Sequence, residues 1–405
     1  MQTELKKLKS EYSNILEKYL GRPATEDLIS QVFSGYLSSA NKDDLVFNFT
    51  DSFKIRSVVD RIITNTEKIL TSKKHLHLLL NLAKLSLNKG ELFLSSDIYS
   101  QVLYRTTNNE KFQTEAAESL KGLGEVASLQ AKWNEAFSYV RKAKKIFEKI
   151  NNIKGIVICE NLLGTFYAER GVLNSAKEYF ESGLQRLKGK KSNNLDAVIL
   201  VNLGILNNII GNTEVAEKNY RKALSKFEHA GDHKRIAETR HNLGMLFTKL
   251  GEYKTALKEF NLSVTVASKD KNLLTLAISY LAKAYIYAEM NELDLAAEFI
   301  NKGMNISNQL NDRLTIADVY KVKGIVERKN GNYELSESYL LTSLRINSEL
   351  GNKLNHSETS YELGLLYLEL NQAQKAKKYF NTALKYYKKI KAVLEIKKIE
   401  NLLNK

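Results

Sequence analysis

The side chains that could carry out chemistry are few in this sequence, and their spacing assembles no familiar reactive site. The six histidines include two close pairs, His75 with His77 and His229 with His233. Residues two apart on a helix point in different directions, and Gly231 interrupts the second pair. No glycine-rich loop follows a strand pattern, and no serine or cysteine has the setting of a nucleophile. We therefore expect a protein that is not an enzyme, with no catalytic residues, no metal site and no cofactor.

The single cysteine, Cys159, lies within a predicted helix. One thiol cannot form an internal disulfide or a cysteine-based zinc site, and it is typical of a reducing compartment. No apolar run approaches the roughly 20 residues needed to span a bilayer, and the N-terminus lacks the apolar core of a signal peptide. These features predict a cytoplasmic protein without a membrane span.

A period of 40 residues organises most of the chain. A small residue recurs on this period at Gly124, Gly164, Gly204, Gly244, Ala284, Gly324 and Gly364. Seven positions after each of them stands a turn residue, at Ala131, Gly171, Gly211, Gly251, Asn291, Gly331 and Asn371. Another small residue follows at Ala136, Ala176, Ala216, Ala256, Ala296, Ser336 and Ala376. Ala83, Gly90 and Ser95 make an eighth copy with one extra residue, and a fixed period of this length indicates a solenoid.

Each repeat predicts a hairpin of two antiparallel helices. In the copy over residues 237–269, apolar residues recur at three- and four-residue spacing both before and after Gly251. Gly251 suits a residue at positive φ after a helix C-terminus. We expect Gly244 and Ala256 to face each other where the two helices approach closely. One hairpin cannot bury its apolar face alone, so the core must come from stacking.

The two ends of the chain do not follow the period. Residues 1–70 predict three amphipathic helices, with Thr25 and Asp51 as N-caps of the second and third. They would form a small bundle or degenerate repeats that cover the end of the solenoid. A helix-turn-helix DNA reader would need two short helices around a glycine turn, which the segment lacks, whereas self-association through the first helix stays open. Residues 392–405 predict a final helix that caps the last hairpin.

The repeat motifs resemble the tetratricopeptide repeat (TPR), over about residues 76–390. HNLGMLFTKLGEYKTALKEFNLSV (241–264) and YELGLLYLELNQAQKAKKYFNTAL (361–384) carry its order of leucine, glycine, aromatic, turn, alanine and aromatic residues. The copies lack the family's proline, and their 40-residue length is similar to a long-repeat subgroup that includes scaffold proteins, kinesin light chains and peptide-sensing regulators. The resemblance implies an all-α, right-handed superhelical solenoid of about eight hairpins over 76–390, between the helical segment 1–70 and the capping helix 392–405.

The resemblance also implies a concave groove lined by the first helix of each hairpin. The residues that match groove positions are Lys121, Glu125, Asn161, Thr165, Asn202, Asn208, His241, Asn242, Met245, Thr248, Tyr285, Lys321, Arg328 and Tyr361. Asn202 and Asn242 match a position at which family members hold a ligand backbone, although asparagine is also simply common there. Lys121, Asn161 and Asn202 approach the order of a carboxylate clamp, but His241 stands where a basic residue would complete it.

The resemblance therefore implies a non-catalytic scaffold that binds a peptide or helix of a partner protein. The alternative is a receptor in which a small signalling peptide changes the superhelix pitch and so controls residues 1–70 as an effector. The net charge of +15 raises the question of an anionic partner, and ten lysines stand against Glu395 and Glu400 between Lys375 and Lys405. Elsewhere the charges are mixed, which favours a solvated surface, then an acidic protein partner, over nucleic acid or an anionic membrane.

Overall fold

The computed structural model describes residues 2–37, 52–107, 109–190, 194–310 and 312–404. Within them it contains α-helices and no strands, which confirms the all-α prediction. The helices are α1 (Gln2–Leu20), α2 (Arg22–Leu37), α3 (Ser52–Glu67), α4 (Ser72–Asn88), α5 (Leu92–Thr106), α6 (Gln113–Leu129), α7 (Trp133–Lys149), α8 (Ile153–Glu169), α9 (Leu173–Leu187), α10 (Leu195–Ile210), α11 (Thr213–Ala230), α12 (His233–Lys249), α13 (Tyr253–Lys269), α14 (Leu273–Glu289), α15 (Leu293–Leu310), α16 (Arg313–Lys329), α17 (Tyr333–Glu349), α18 (Lys353–Glu369), α19 (Ala373–Lys389) and α20 (Val393–Leu403). No helix in these ranges has the length and apolar character needed to cross a membrane.

The chain divides into two compact units, Met1–Phe166 and Tyr167–Lys405. In the first unit, α1 to α3 share one hydrophobic core with the first hairpin, α4 and α5. Tyr12, Phe33 and Val59 from the N-terminal helices belong to the same cluster as Leu79 and Ile98. The N-terminal helices therefore pack directly on the first hairpin.

Thr25 does not cap α2, contrary to the sequence prediction. The helix begins at Arg22, directly after Gly21, and the Thr25 backbone amide donates to the Gly21 carbonyl at 3.1 Å. The Thr25 side chain is fully buried inside the helix packing. A threonine followed by acidic residues has the local signature of a helix start, but tertiary burial decides otherwise here. Asp51, the other predicted cap, lies outside the described residues.

The second unit is a stack of helix hairpins. Packed pairs are α10–α11, α12–α13, α14–α15, α16–α17 and α18–α19, and each second helix packs on the next first helix. The first helices α10, α12, α14, α16 and α18 also contact one another in order, which makes them one continuous wall. We call this surface the first-helix wall.

The turn inside each hairpin adopts the predicted backbone conformation. Gly251 has φ of 78°, and Ala131, Asn291 and Asn371 also have positive φ. The Glu252 amide donates to the Phe247 carbonyl at 2.9 Å, and the Gly251 amide donates to the Thr248 carbonyl at 3.0 Å. This pair of bonds is the Schellman motif, which satisfies carbonyls left unpaired at a helix C-terminus. The prediction for Gly251 is confirmed.

The recurring glycine of the first helix makes room for a ring of the second helix. A methyl group on Gly244 would lie 2.5 Å from the Phe260 ring, and one on Gly364 would lie 2.5 Å from Phe380. The nearest neighbour of Gly244 is therefore Phe260, sixteen residues later, and not Ala256 as the sequence suggested. The close approach exists, but it is between a backbone and an aromatic face.

The last helix makes two sets of contacts within the second unit. α20 packs on α19, where a cap would lie, and also against α10. A methyl group on Gly211 would lie 3.7 Å from Leu394, and the Lys249 ammonium is 2.9 Å from Glu395. The end of the chain thus returns to the first hairpins of this unit.

Candidate functional site

The predicted groove residues lie on one face of the first helices. On α12, His241, Met245 and Thr248 are spaced i, i+4 and i+7, which places them along one stripe. Of the predicted set, Lys121, Glu125, Asn161 and Thr165 belong to the first unit, and the other ten lie on the first-helix wall of the second unit. Met245 is exposed, Arg328 is buried, and the rest are half-buried.

In the first unit, the polar groove candidates are engaged close to their own positions in the chain. The Lys121 ammonium bonds to Glu118 one turn earlier on α6. Burial raises the pKa of Glu125, with the nearby Lys121 acting in the opposite direction. The Thr165 hydroxyl donates to the Asn161 carbonyl at 3.0 Å. Lys121 therefore already has a carboxylate partner and does not stand as an unneutralised cation for a ligand carboxylate.

In the second unit, Lys321 is neutralised by acids of its own and the next repeat. Its ammonium is 2.6 Å from Glu358 on α18 and 3.1 Å from Asp318 on α16. Asn355 holds the other side of this group, since its amide donates to Asp318 at 3.0 Å. The Lys321 side chain is only 15% exposed, so the cluster is a partly buried ion network.

Arg328, two turns further along α16 in the same stripe, is paired in the same way. Its guanidinium is 3.2 Å from Glu362 and also bonds to Glu369, both on α18. Burial raises the pKa of Glu362, while Arg328 opposes that rise. Beside this network, Lys329 reaches Glu289 of α14 at 3.2 Å. Adjacent first helices are thus joined by ion pairs across the wall.

These acidic partners were missed by sequence reasoning. They are Asp318, Glu358, Glu362, Glu369 and Glu289. Lys321 and Glu358 are 37 positions apart, an offset close to the repeat length, so the signal lies in comparing one stripe with the next. In this part of the wall the acids outnumber the basic residues that they pair with. This part of the wall is therefore not a basic surface, despite the positive net charge of the chain.

The neutral groups of the wall include three rings. The His241 ring contacts Phe260 with centroids 5.4 Å apart, and its Nδ1 is 3.0 Å from the Ser279 hydroxyl. Burial lowers the pKa of His241 to about 4, so the ring is neutral at pH 7. Tyr285 and Tyr361 lie on α14 and α18, and burial raises the pKa of Tyr361 to about 12. The rings offer apolar faces with hydrogen-bonding edges and no charge.

The groups best placed to meet a ligand are on α10 and α12. Among the described residues, Asn242 makes no side-chain hydrogen bond, and the buried Oδ1 of Asn208 has no partner. Met245 is 43% exposed, so its thioether is accessible to a ligand. The Thr248 hydroxyl, by contrast, donates to the Gly244 carbonyl at 2.8 Å. Asn202 is half-buried one repeat before Asn242.

The reactive residue types are placed without catalytic character. Cys159 is buried, and burial raises the pKa of its thiol to about 12, which disfavours the nucleophilic thiolate. His77 is 2.7 Å from Glu115, an isolated pair in the first unit. Within the part of the chain that the structure describes, no three histidine, cysteine or acidic side chains are grouped to hold a metal ion.

Comparison with known proteins agrees with this architecture. Models of the tetratricopeptide repeat match residues 237–270, 277–310 and 315–389, so the chain carries tetratricopeptide repeats there. A comparison with curated protein sequences gave no match.

Among solved structures, the Rap conjugation gene regulator of plasmid pLS20 in complex with the Phr* peptide is similar, with a TM-score of 0.59 and 16% identity over 98% of this chain and 95% of that one. The apo form of the quorum sensor NprR from B. thuringiensis has a TM-score of 0.58 and 14% identity over 89% and 99%. Aspartyl phosphate phosphatase F from Bacillus subtilis has a TM-score of 0.58 and 13% identity over 96% and 94%. At these identities the likeness establishes the shared helical solenoid fold.

Proposed function

We propose that this protein is a non-catalytic binding protein that holds a peptide, or a helix of a partner protein, against the first-helix wall of the second unit. Three residues of neighbouring first helices carry the proposal: Asn242 and Met245 on α12, and Asn208 on α10. An amide without a side-chain partner among the described residues, an exposed thioether and a buried carbonyl oxygen lie on neighbouring first helices. Amides can hold a peptide backbone, and a methionine adapts to varied side chains.

The charges of the wall narrow the chemistry of the ligand. Lys321 and Arg328 are each paired with two acids, so a ligand carboxylate would have to displace an existing partner. Breaking one member out of a buried pair is costly. A neutral or basic peptide therefore fits this wall better than the acidic peptide that the net charge of the chain suggested.

A receptor for a signalling peptide is the second candidate, favoured by the whole-chain likeness to a Rap regulator in complex with the Phr* peptide. In this version, peptide binding in the second unit would change the output of residues 1–70. We infer a cytoplasmic location for the scaffold and for the receptor alike, because a single buried thiol suits a reducing compartment.

Site-specific cross-linking tests the groove. A photoreactive amino acid replaces Met245, and the control position is Lys258, which is exposed on the second helix α13. In cells of the source organism, the Met245 variant should capture a peptide or protein segment that the Lys258 variant does not. Adding Asn242→Ala should reduce that capture about tenfold, since one or two backbone hydrogen bonds are lost. Capture from Lys258 alone would mean that the wall is not the binding surface.

Hydrogen exchange then separates the two versions of the proposal. A receptor requires the captured ligand to change amide exchange within residues 1–70, whereas a scaffold changes exchange only on the first-helix wall. Equal exchange of the N-terminal helices with and without ligand would rule out the receptor and leave the scaffold.

A further inference from the structure

The outer face of the last hairpin carries a concentration of positive charge that the groove does not use. α19 contains no acidic residue and six lysines, at Lys375, Lys377, Lys378, Lys385, Lys388 and Lys389. All six are exposed. Among the described residues, only Lys388 has a carboxylate partner, Glu400 at 2.8 Å. The remaining five leave this helix with a strong local positive field.

Apart from Glu400, the acids of α18 and α20 are paired with cations on other helices. On α18, Glu358 pairs with Lys321, and Glu362 and Glu369 both pair with Arg328. On α20, Glu395 reaches Lys249 at 2.9 Å. The hairpin of α18 and α19 therefore directs its carboxylates toward cations on another helix, while its lysines are exposed to solvent. This segregation is a property of the packing, because the acids are held by named partners on other helices.

A cavity of about 340 Å³ opens between the start of α18 and the C-terminal half of α19. It is lined by Lys353, His356, Ser357, Thr382, Lys385, Tyr386 and Lys389, and no carboxylate lines it. Three ammonium groups therefore surround one recess without a counter-charge among its lining residues. The Ser357 and Thr382 hydroxyls donate to carbonyls of their own helices at 2.8 and 3.0 Å, so an anion in this recess would be met by the lysine ammonium groups rather than by these hydroxyls.

The spacing of the lysines matches an extended anionic partner better than a single small anion. Lys378, Lys385 and Lys389 follow one face of α19, and the first and last lie about 16 Å apart at helical rise. Lys385 and Lys389, at i and i+4, repel each other. The negative C-terminal end of α19 offsets part of this repulsion for Lys389. An anion seated between them would relieve the rest.

We propose that this surface, the α19 face, binds a carboxylate-rich segment of a partner protein, with one partner carboxylate in the recess between Lys353, Lys385 and Lys389. The chain contains no arginine after Arg345, so the face is built from lysine alone. Arginine pairs in a bidentate manner with carboxylate and phosphate alike, whereas lysine acts as a point charge that any anionic oxygen can approach. The lysine track of about 16 Å matches roughly five residues of an extended peptide, and the charges elsewhere in the chain are mixed, which together favour a short acidic protein segment over a nucleic-acid backbone. The α19 face is a second binding surface, separate from the groove.

A labelled peptide of ten glutamates serves as the probe, and fluorescence anisotropy measures its dissociation constant at two salt concentrations. The double variant Lys385→Glu and Lys389→Glu should raise that constant about tenfold or more, since two close attractions become repulsions. The matched control is Lys258→Glu with Lys269→Glu on α13, which changes the net charge equally on exposed residues without ion pairs among the described part of the chain. It should change the constant less than about twofold.

An equal loss of binding in both double variants would overturn the proposal, because it would mean attraction to overall charge. Absence of peptide binding by the unmodified protein would overturn it as well. A ten-residue thymidine oligonucleotide competes in the same assay, and displacement at a lower concentration than unlabelled polyglutamate would assign the face to nucleic acid instead. If circular dichroism shows that the glutamate double variant is unfolded, the double variant Lys385→Gln and Lys389→Gln replaces it. This variant should raise the dissociation constant of the peptide about fivefold.

Discussion

Ala131 holds a backbone conformation that its side chain disfavours. Its φ is 57°, in the left-handed region, where glycine or asparagine stands in most other hairpin turns of this chain. A β-carbon in that region costs roughly 1–2 kcal/mol. We expect Ala131→Gly to raise the free energy of unfolding by about 1 kcal/mol, after the larger entropy of glycine in the unfolded chain is subtracted. Urea unfolding measures this change.

The same replacement inside a helix is the control for Ala131. Ala136 is fully buried in α7, five residues further on. Ala136→Gly should lower stability by about 1–2 kcal/mol, because glycine is the poorer helix former and a buried methyl group is lost. If both variants were destabilised, the turn at Ala131 would not be strained.

His241 makes the second unit sensitive to acid. Burial lowers its pKa in the folded state to about 4, below the ordinary value of 6.5. Below pH 6.5 the unfolded chain takes up a proton that the folded chain does not accept until about pH 4, so stability falls as the pH falls through this window. For this group alone, the loss between pH 7 and pH 5 should be about 2 kcal/mol.

Unfolding of variants at the two pH values measures that loss. His241→Gln retains a group that can bond to Ser279 but does not titrate, so the difference between pH 7 and pH 5 should shrink by the same amount. Asn261→Gln, at an exposed position on α13 that does not titrate, should leave the difference unchanged. An unaltered pH dependence in the His241 variant would show that the ring is solvated in the folded protein.

The contact between the two helices of a hairpin sets a limit on side-chain size at the glycine row. A methyl group on Gly244 would lie 2.5 Å from the Phe260 ring. We expect Gly244→Ala to lower stability by about 1–3 kcal/mol through overpacking, even though alanine favours helix. Calorimetry or urea unfolding measures the change.

A second substitution distinguishes overpacking from other causes. If the clash is with the ring, Gly244→Ala combined with Phe260→Leu should be more stable than the sum of the two single changes predicts. Strict additivity would mean that Gly244 and Phe260 do not compete for the same space.

The hairpins could be predicted from the sequence because their signals are local. Gly251 and Asn371 mark turns by their own conformational preferences, and the 40-residue period places every later helix once one is known. What could not be predicted depends on neighbours in space. Thr25 has the local signature of a cap but is buried inside α2. For the candidate site, the period indicated which face of the first helices carries the predicted groove residues. It could not predict the acid partners of Lys321, because these depend on how one repeat is rotated on the next.

At the scale of the whole chain, most contacts join neighbouring helices, and α20 is an exception within the second unit. It packs against α10, and Glu395 meets Lys249 at 2.9 Å across 146 positions. Lys249 also donates to the Asn208 carbonyl at 2.7 Å and is only 14% exposed. In an array held by neighbour contacts alone, unfolding can begin at an end and proceed by steps. A contact between the last helix and the first hairpins makes those steps depend on each other.

We therefore expect Lys249→Met to loosen the attachment of α20 and to make unfolding of the second unit less cooperative. Loss of one member of a partly buried pair should lower stability by about 1–3 kcal/mol and raise amide exchange in α20 and at the end of α10. The control is Lys388→Met, which breaks only the exposed pair between α19 and α20 and should cost less than about 1 kcal/mol. Removing residues 392–405 should reproduce the Lys249 effect and add to it the loss of the Ile399 core contact. Equal exchange of α10 in the unmodified, Lys249 and truncated proteins would mean that α20 serves the last hairpin alone.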